Sequence, residues 1–134
     1  MRVLVVDDHT LVRESLVCML KGEPDLEVVG EAWDGKRAVE LTQELLPDLV
    51  LMDITMPVMD GIEATRLIHA ACPAVRVIGL SMFTHGEQAR PMLEAGAVAY
   101  VSKSDSANVL LAAIRACSPG PNGSEEPERG SPFE

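Results

Sequence analysis

Aromatic residues are almost absent. One tryptophan, one tyrosine and two phenylalanines make up 3% of the 134 residues. That is too few for a platform on which nucleic-acid bases could stack. Cysteine is also scarce: Cys18, Cys72 and Cys117 lie far apart, with no C-x-x-C pair. The common zinc and dithiol spacings are therefore excluded, and the pattern suits a reducing compartment such as the cytoplasm. No apolar run approaches the roughly 18 residues that cross a bilayer, so membrane insertion is not expected. The start, Met-Arg-Val-Leu-Val-Val-Asp-Asp, turns acidic too soon to act as a secretory signal. Positive charge is in deficit, with 11 Lys and Arg against 21 Asp and Glu, net −10. Such a chain repels phosphate backbones and anionic membrane surfaces, so direct nucleic-acid binding is not expected either.

What remains is one domain's worth of sequence, 47% hydrophobic and long enough to bury a core without cross-links. Composition changes at Ser118. Residues 118–134 hold four prolines, three glycines, three serines and four acids, with Phe133 as the sole apolar residue. Such a segment cannot bury enough surface to offset its ordering entropy. The expected organisation is a folded domain over 1–117 and a disordered acidic tail or linker over 118–134.

Within 1–117 short apolar runs alternate with helical patterns. Val3–Val6, Leu26–Ala32, Asp48–Met52, Val75–Leu80 and Ala97–Val101 read as strands. Between them, Leu11, Val12, Ser15, Leu16, Met19 and Leu20 recur at helical spacing and stop at Gly22 and Pro24. Asp34 can cap a second helix that ends before Pro47, and a third runs from Ile62 to Ala71 with Leu67 inward. A fourth spans about Thr84–Ala95 and ends at Gly96, a natural left-handed stop. Ser104 or Asp105 can cap the last, which carries Val109, Leu110, Ala113 and Ile114. Five strands alternating with five helices predict an α/β fold around a parallel sheet, with helices on both faces. Ligands of such sheets sit beyond the carboxyl ends of the strands.

Those ends carry chemistry. Strand one runs into Asp7-Asp8, strand three into Asp53, strand four into Ser81 and strand five into Ser102-Lys103. Singly each is ordinary: Asp8 a helix cap, Asp53 a loop residue, Ser81 a strand terminator, Lys103 a solvated lysine. Parallel strands would bring all of them to one crevice. Clustered carboxylates raise one another's pKa unless a cation joins them, and hard oxygen ligands without His or Cys select Mg²⁺ or Mn²⁺ over zinc. A carboxylate beside such a cation can attack phosphorus, with Lys103 and Ser81 placed to hold phosphate oxygens.

The motifs Val-Leu-Val-Val-Asp-Asp-His, Leu-Val-Leu-Met-Asp-Ile-Thr-Met-Pro-Val-Met-Asp-Gly, Gly-Leu-Ser and Ala-Tyr-Val-Ser-Lys closely resemble the receiver domain of two-component response regulators. The match runs from Arg2 to about Ala116. It implies a flavodoxin-like (βα)5 three-layer sandwich with strand order 2-1-3-4-5, the order of chemotaxis members of that family. The resemblance further implies that Asp53 accepts a phosphoryl group from a sensor histidine kinase or phosphotransfer protein. Asp8 and Asp53 would be direct ligands of Mg²⁺ or Mn²⁺, with the Thr55 backbone carbonyl completing the set and Asp7 in the second shell or acting through water. Lys103 would contact the phosphate, Ser81 would be the switch hydroxyl and Tyr100 the switch aromatic. Thr55 and Phe83 fall where relatives tune dephosphorylation. The implied output is a changed protein-binding face, used on a partner or on a second copy of the chain. Catalysis would extend only to the domain's own phosphorylation and dephosphorylation, so the chain is not expected to be an enzyme.

Two departures stand out. The family often has proline after the active-site lysine, with a cis bond before it. Here Ser104 follows Lys103, and a cis bond there would cost about 2.5–4 kcal/mol. Pro91 lies inside the fourth helical pattern and predicts a short, kinked or mobile helix. Met52, Met56 and Met59 are expected to pack, Pro57 to fix the acceptor loop, Gly61 to supply a permissive backbone, His9 to start the first helix in preference to approaching the site, and Trp33 to be partly buried. Competing readings fit less well. A flavin protein of this topology needs donors after strand one, where Asp7-Asp8 would repel its phosphate. A phosphatase with an aspartate nucleophile commonly has a second Asp two residues on, where this chain has Thr55. A non-phosphorylated interaction module would not need the whole acidic and basic set. Two contexts are considered: a receiver at the carboxyl end of a hybrid sensor histidine kinase, slightly favoured by the tail, or the receiver fragment of a helix-turn-helix transcription regulator.

Overall fold

The computed structural model describes residues 1–54, 56, 58–81, 89–103 and 105–117. In chain order the elements are β1 (Arg2–Val6), α1 (Thr10–Lys21), β2 (Glu27–Ala32), α2 (Gly35–Leu45), β3 (Leu49–Asp53), α3 (Gly61–Ala71), β4 (Arg76–Ser81), α4 (Ala89–Ala95), β5 (Ala99–Ser102) and α5 (Ala107–Ala116). The strands form one sheet in the order β2-β1-β3-β4-β5. Every neighbouring pair is parallel. The α/β fold and the flavodoxin-like strand order are as the sequence implied.

Side chains alternate across a strand, so each apolar run supplies both faces of the sheet. Leu4, Val6, Val50, Met52 and Val77 pack with Ala38 and Leu41 of α2, Ala64 and Ile68 of α3, and Met92 of α4. Their neighbours Val3, Val5, Leu49, Leu51, Ile78 and Leu80 turn the other way, against Val17 and Leu20 of α1 and Leu110, Leu111 and Ile114 of α5. Burial of one such side chain is worth roughly 1.5–3 kcal/mol, and these two layers hold the sheet rigid beneath its loops.

Caps set where the helices start. Asp34 Oδ1 accepts from the Arg37 amide at 2.8 Å, and Asp60 Oδ1 from that of Glu63 at 2.9 Å. For α5 the cap is Ser106, which accepts from the Val109 amide, not Ser104 or Asp105. Asp105 instead bonds backward to the Ser102 amide. α2 ends at Leu46 in the left-handed region, φ 48°, an uncommon conformation for leucine. The guanidinium of Arg2 donates to the carbonyls of Leu45 and Leu46 there and satisfies this helix end.

Four apolar side chains lie further out than expected. Leu11 is 78% exposed, at the rim of a groove formed with Leu16 and Met19 of α1 and Leu110 of α5. Trp33 is 55% exposed, because β2 is an edge strand and its chain turns outward before α2. Leu67 and Val109 sit on the solvent side of α3 and α5. The methionines pack as expected: Met52 and Met56 are buried, and Met59 lies against the same core layer. The expected start of α4 at Thr84, the Lys103–Ser104 bond, Thr55, Pro57, Phe83 and the tail 118–134 lie outside the described residues.

Candidate functional site

Parallel pairing carries the ends of the strands to one edge. Val6 pairs with Met52, Asp53 with Leu80, and Ser81 with Ser102. The residues that follow or end these strands therefore meet above the sheet. Asp7 is fully buried and Asp53 is 3% exposed, while Asp8 is half-buried at the mouth. Lys103 reaches between the acids. Its Nζ stands 2.6 Å from Asp7 Oδ2 and 3.1 Å from Asp53 Oδ1, with its side chain 9% exposed.

The backbone is shaped to permit this packing. The Asp7 amide donates to the Ala32 carbonyl at 3.0 Å and so ties the β1 exit to β2. Arg13, one turn into α1, reaches back and donates to the Asp7 carbonyl at 2.7 Å while pairing with Glu31. Gly61 is needed for space. Its amide donates to the Ile54 carbonyl at 2.7 Å, and a Cβ there would lie 2.2 Å from the Asp53 carbonyl oxygen. Gly35 is confined in the same way against the Met59 carbonyl. Two helix starts are thus pressed against the loop that follows β3.

Three carboxylates against one ammonium leave a local charge of −2 (three negative, one positive). Lys103 Nζ lies at ion-pair distance from Asp7 Oδ2 and Asp53 Oδ1, and His9 Nδ1 from Asp8 Oδ1, while Asp53 Oδ2 is enclosed with no hydrogen-bond partner among the described residues. Burial, reinforced by the Asp7 charge and opposed by Lys103, pushes the Asp53 carboxyl up to about 6. Enclosed carboxylates that outnumber the cations beside them are what a bound metal ion would relieve. One donor atom from each of Asp7, Asp8, His9 and Asp53 can be chosen so that all lie within 4.8 Å of one another. Oxygen donors dominate, so the residues fit Mg²⁺ or Mn²⁺.

Of the residues singled out from the sequence, Asp7, Asp8, Asp53 and Lys103 converge on this pocket. Ser81 is buried at the end of β4, and its carbonyl accepts from the Lys103 amide at 2.6 Å. Tyr100 packs against the core layer that contains Met92, with its hydroxyl enclosed and without a hydrogen-bond partner among the described residues. Arg13 was not singled out by the sequence. His9 stands at the start of α1 as expected, and its ring also approaches the site, against both Asp7 and Asp8.

Comparison with known proteins agrees with this geometry. The family model for the response regulator receiver domain matches residues 3–115. The transcriptional regulatory protein LiaR of Bacillus subtilis is 45% identical over 119 residues, covering 89% of this chain and 56% of LiaR. The chain therefore spans little more than half the length of that relative. A two-component response regulator of the LuxR family from Aurantimonas superposes with a TM-score of 0.82 at 41% identity, covering 86% of this chain and 82% of that one. In the CheX–CheY complex of Borrelia burgdorferi with beryllium fluoride and magnesium, the matching chain gives a TM-score of 0.81 at 28% identity, covering 87% of each.

Proposed function

Because the chain belongs to the response regulator receiver domain family, we propose that Asp53 is its phosphoacceptor and that the pocket around it works the switch. The observation that carries this reading is the convergence of Asp7, Asp8, Asp53 and Lys103 on one enclosed edge. In the proposed reaction an Asp53 carboxylate oxygen attacks the phosphorus of a kinase phosphohistidine. The P–N bond breaks as the P–O bond forms, and the imidazole leaves, taking up a proton. A Mg²⁺ or Mn²⁺ ion held by Asp8 and Asp53, with Asp7 behind them and the Thr55 carbonyl completing the set, would neutralise charge on the incoming phosphoryl group. Lys103 places its ammonium beside Asp53, where it holds a phosphate oxygen as negative charge accumulates. Ser81 ends the strand next to Asp53 and supplies the hydroxyl that follows the phosphate. Tyr100 reports that movement to the α4–β5–α5 side, since among the described residues its enclosed hydroxyl has no partner holding it in place.

The chain is a regulatory domain, and its chemistry is confined to loading and losing its own phosphate. Its donor is a sensor histidine kinase or phosphotransfer protein, its output a protein-binding face that a second copy can use, and its compartment the cytoplasm. The relatives are regulators, which favours the receiver part of a transcription regulator over a hybrid-kinase module. The folded unit is residues 1–117, with 118–134 as an acidic linker. Support comes from the family match, which ends at residue 115, and from α5, which ends at Ala116. A chain shortened to 117 residues should melt at the same temperature. The central test is incubation with acetyl phosphate and Mg²⁺, followed by mass spectrometry. One acid-labile phosphoryl group is expected on Asp53, and none on Asp53→Asn or after chelation. Full labelling of Asp53→Asn would overturn the assignment.

A further inference from the structure

His9 occupies the N-cap of α1 but makes no side-chain capping hydrogen bond. Asp, Asn, Ser or Thr would cap this helix better. The imidazole is instead turned onto the carboxylates, with Nδ1 3.1 Å from Asp8 Oδ1 and 3.4 Å from Asp7 Oδ1. It is 60% exposed and so has room to rotate. Behind it lie the buried Asp7 and Asp53: Asp53 Oδ2 is enclosed with no hydrogen-bond partner among the described residues, and Lys103 Nζ stands against the other Asp53 oxygen and against Asp7 Oδ2. The pocket therefore offers a nitrogen beside its three carboxylates.

We propose that this pocket holds a borderline divalent cation of the Zn²⁺ class through four protein donors: Asp7, Asp8, Asp53 and His9 Nδ1. The proposal rests on the reading of the carboxylates as a cation site. Mg²⁺ is hard, takes oxygen ligands and keeps several waters, so it gains little from an imidazole. Zn²⁺ takes nitrogen and oxygen together in a four-coordinate shell at short distances. Four donors within 4.8 Å of one another can close onto such an ion once it displaces the Lys103 ammonium from Asp7 and Asp53. A closed shell leaves no open position for a phosphate oxygen and occupies Asp53. The Zn²⁺-class ion then acts as a competitor that holds the domain unphosphorylated.

The test uses the wild-type chain, His9→Asn and Asp53→Asn at one fixed pH. Titration calorimetry with Zn²⁺ and with Mg²⁺ gives both affinities, and visible absorption of bound Co²⁺ reports coordination. Asparagine is a good N-cap, so His9→Asn should melt at the same temperature as wild type or higher. The same variant is expected to lose about tenfold or more in Zn²⁺ affinity, to change Mg²⁺ affinity less than about twofold, and to weaken the tetrahedral Co²⁺ bands. Zn²⁺ should suppress acetyl phosphate labelling of wild type at concentrations that leave His9→Asn labelled. Unchanged Zn²⁺ affinity in His9→Asn, or an equal loss for both ions, overturns the proposal. Mg²⁺-dependent labelling that survives in either case leaves the phosphoacceptor reading standing. Failure of wild type to label, with His9-dependent Zn²⁺ binding intact, sinks that reading alone.

Discussion

At the amino edge of the sheet the charges face opposite charge or a helix end. Arg115 of α5 pairs with Glu23 and Asp25, the Arg2 amide donates to Asp48 Oδ2 at 2.7 Å, and the Arg2 guanidinium closes the end of α2. At the carboxyl edge, about one strand length away, three acids crowd a single lysine, and Asp53 Oδ2 has no hydrogen-bond partner among the described residues. The same sheet carries both edges, so the contrast does not come from the core. It comes from what the loops place at each end. Opposite shifts record it: Arg115 holds the Asp25 carboxyl below its ordinary value, while burial lifts that of Asp53 to about 6. One edge balances its charges within the chain. The other keeps more negative charge than its one lysine balances, which is where the proposed function places a cation.

The largest effect expected from breaking this contrast is at Lys103. It is the one cation within reach of the buried acids among the described residues. Lys103→Met leaves Asp7 and Asp53 facing each other without compensation, and loss of a partner from a buried pair costs about 4 kcal/mol. Urea unfolding at pH 8 in EDTA should show a loss of that order, and saturating Mg²⁺ should recover part of it. An unchanged midpoint would mean that the carboxyl edge is not strained by its charges.

Gly61→Ala is expected to act through shape at the same edge. The added Cβ would meet the Asp53 carbonyl oxygen at 2.2 Å, and that atom is backbone and cannot swing aside. A cost of about 3 kcal/mol is expected, with slower labelling because the acceptor is displaced. Gly22 makes a useful control, since a Cβ there would meet its nearest neighbour at 3.4 Å.

Asp53→Asn should have the opposite sign. A carboxyl raised to about 6 holds its proton more tightly in the folded chain than in the unfolded one. The folded state therefore binds more protons between about pH 4 and pH 6, and stability falls as pH rises through that window. Above it the full penalty remains. The metal-free variant should be more stable than wild type by about 2 kcal/mol at pH 8, with the difference shrinking toward pH 4. Mg²⁺ should stabilise wild type and leave the variant nearly unaffected. A wild-type profile that is flat from pH 4 to pH 8 would remove the argument from burial.

Much of this architecture could be read before any coordinates. Buried parallel strands are near-continuous apolar runs, so Val3–Val6 and Leu49–Met52 stand out, and Asp7, Asp8, Asp53 and Lys103 follow from where such runs stop. What was hidden depends on reach and close approach. Arg13 contacts Asp7 by folding back over a helical turn, and His9 turns toward its two predecessors; neither leaves a periodic trace. Gly61 was legible as a glycine, but its reason is the carbonyl packed against it. Trp33 and Leu11 were misplaced because apolar character predicts burial only where an element has a neighbour on that side. Ser106 is the cap in place of Ser104 or Asp105 because three candidate residues stand in a row, and the helix start selects among them only in three dimensions.

The smallest effect is expected where the contrast began, at the amino edge. Arg115 meets Asp25 at 3.1 Å and also Glu23, but the group is open to water, so side-chain entropy and solvent offset most of the attraction. Arg115→Ala should lower the melting temperature only slightly. Its signature lies in conditions more than in size. A depressed Asp25 carboxyl contributes stability above its unfolded pKa and loses that contribution as pH falls through its folded value. The difference between wild type and Arg115→Ala should therefore be present at neutral pH, disappear in acid, and be screened by added salt. The Asp53 effect runs the other way with pH and, being buried, should resist salt. If both variants showed the same pH sign and the same salt response, the two edges would not differ in kind.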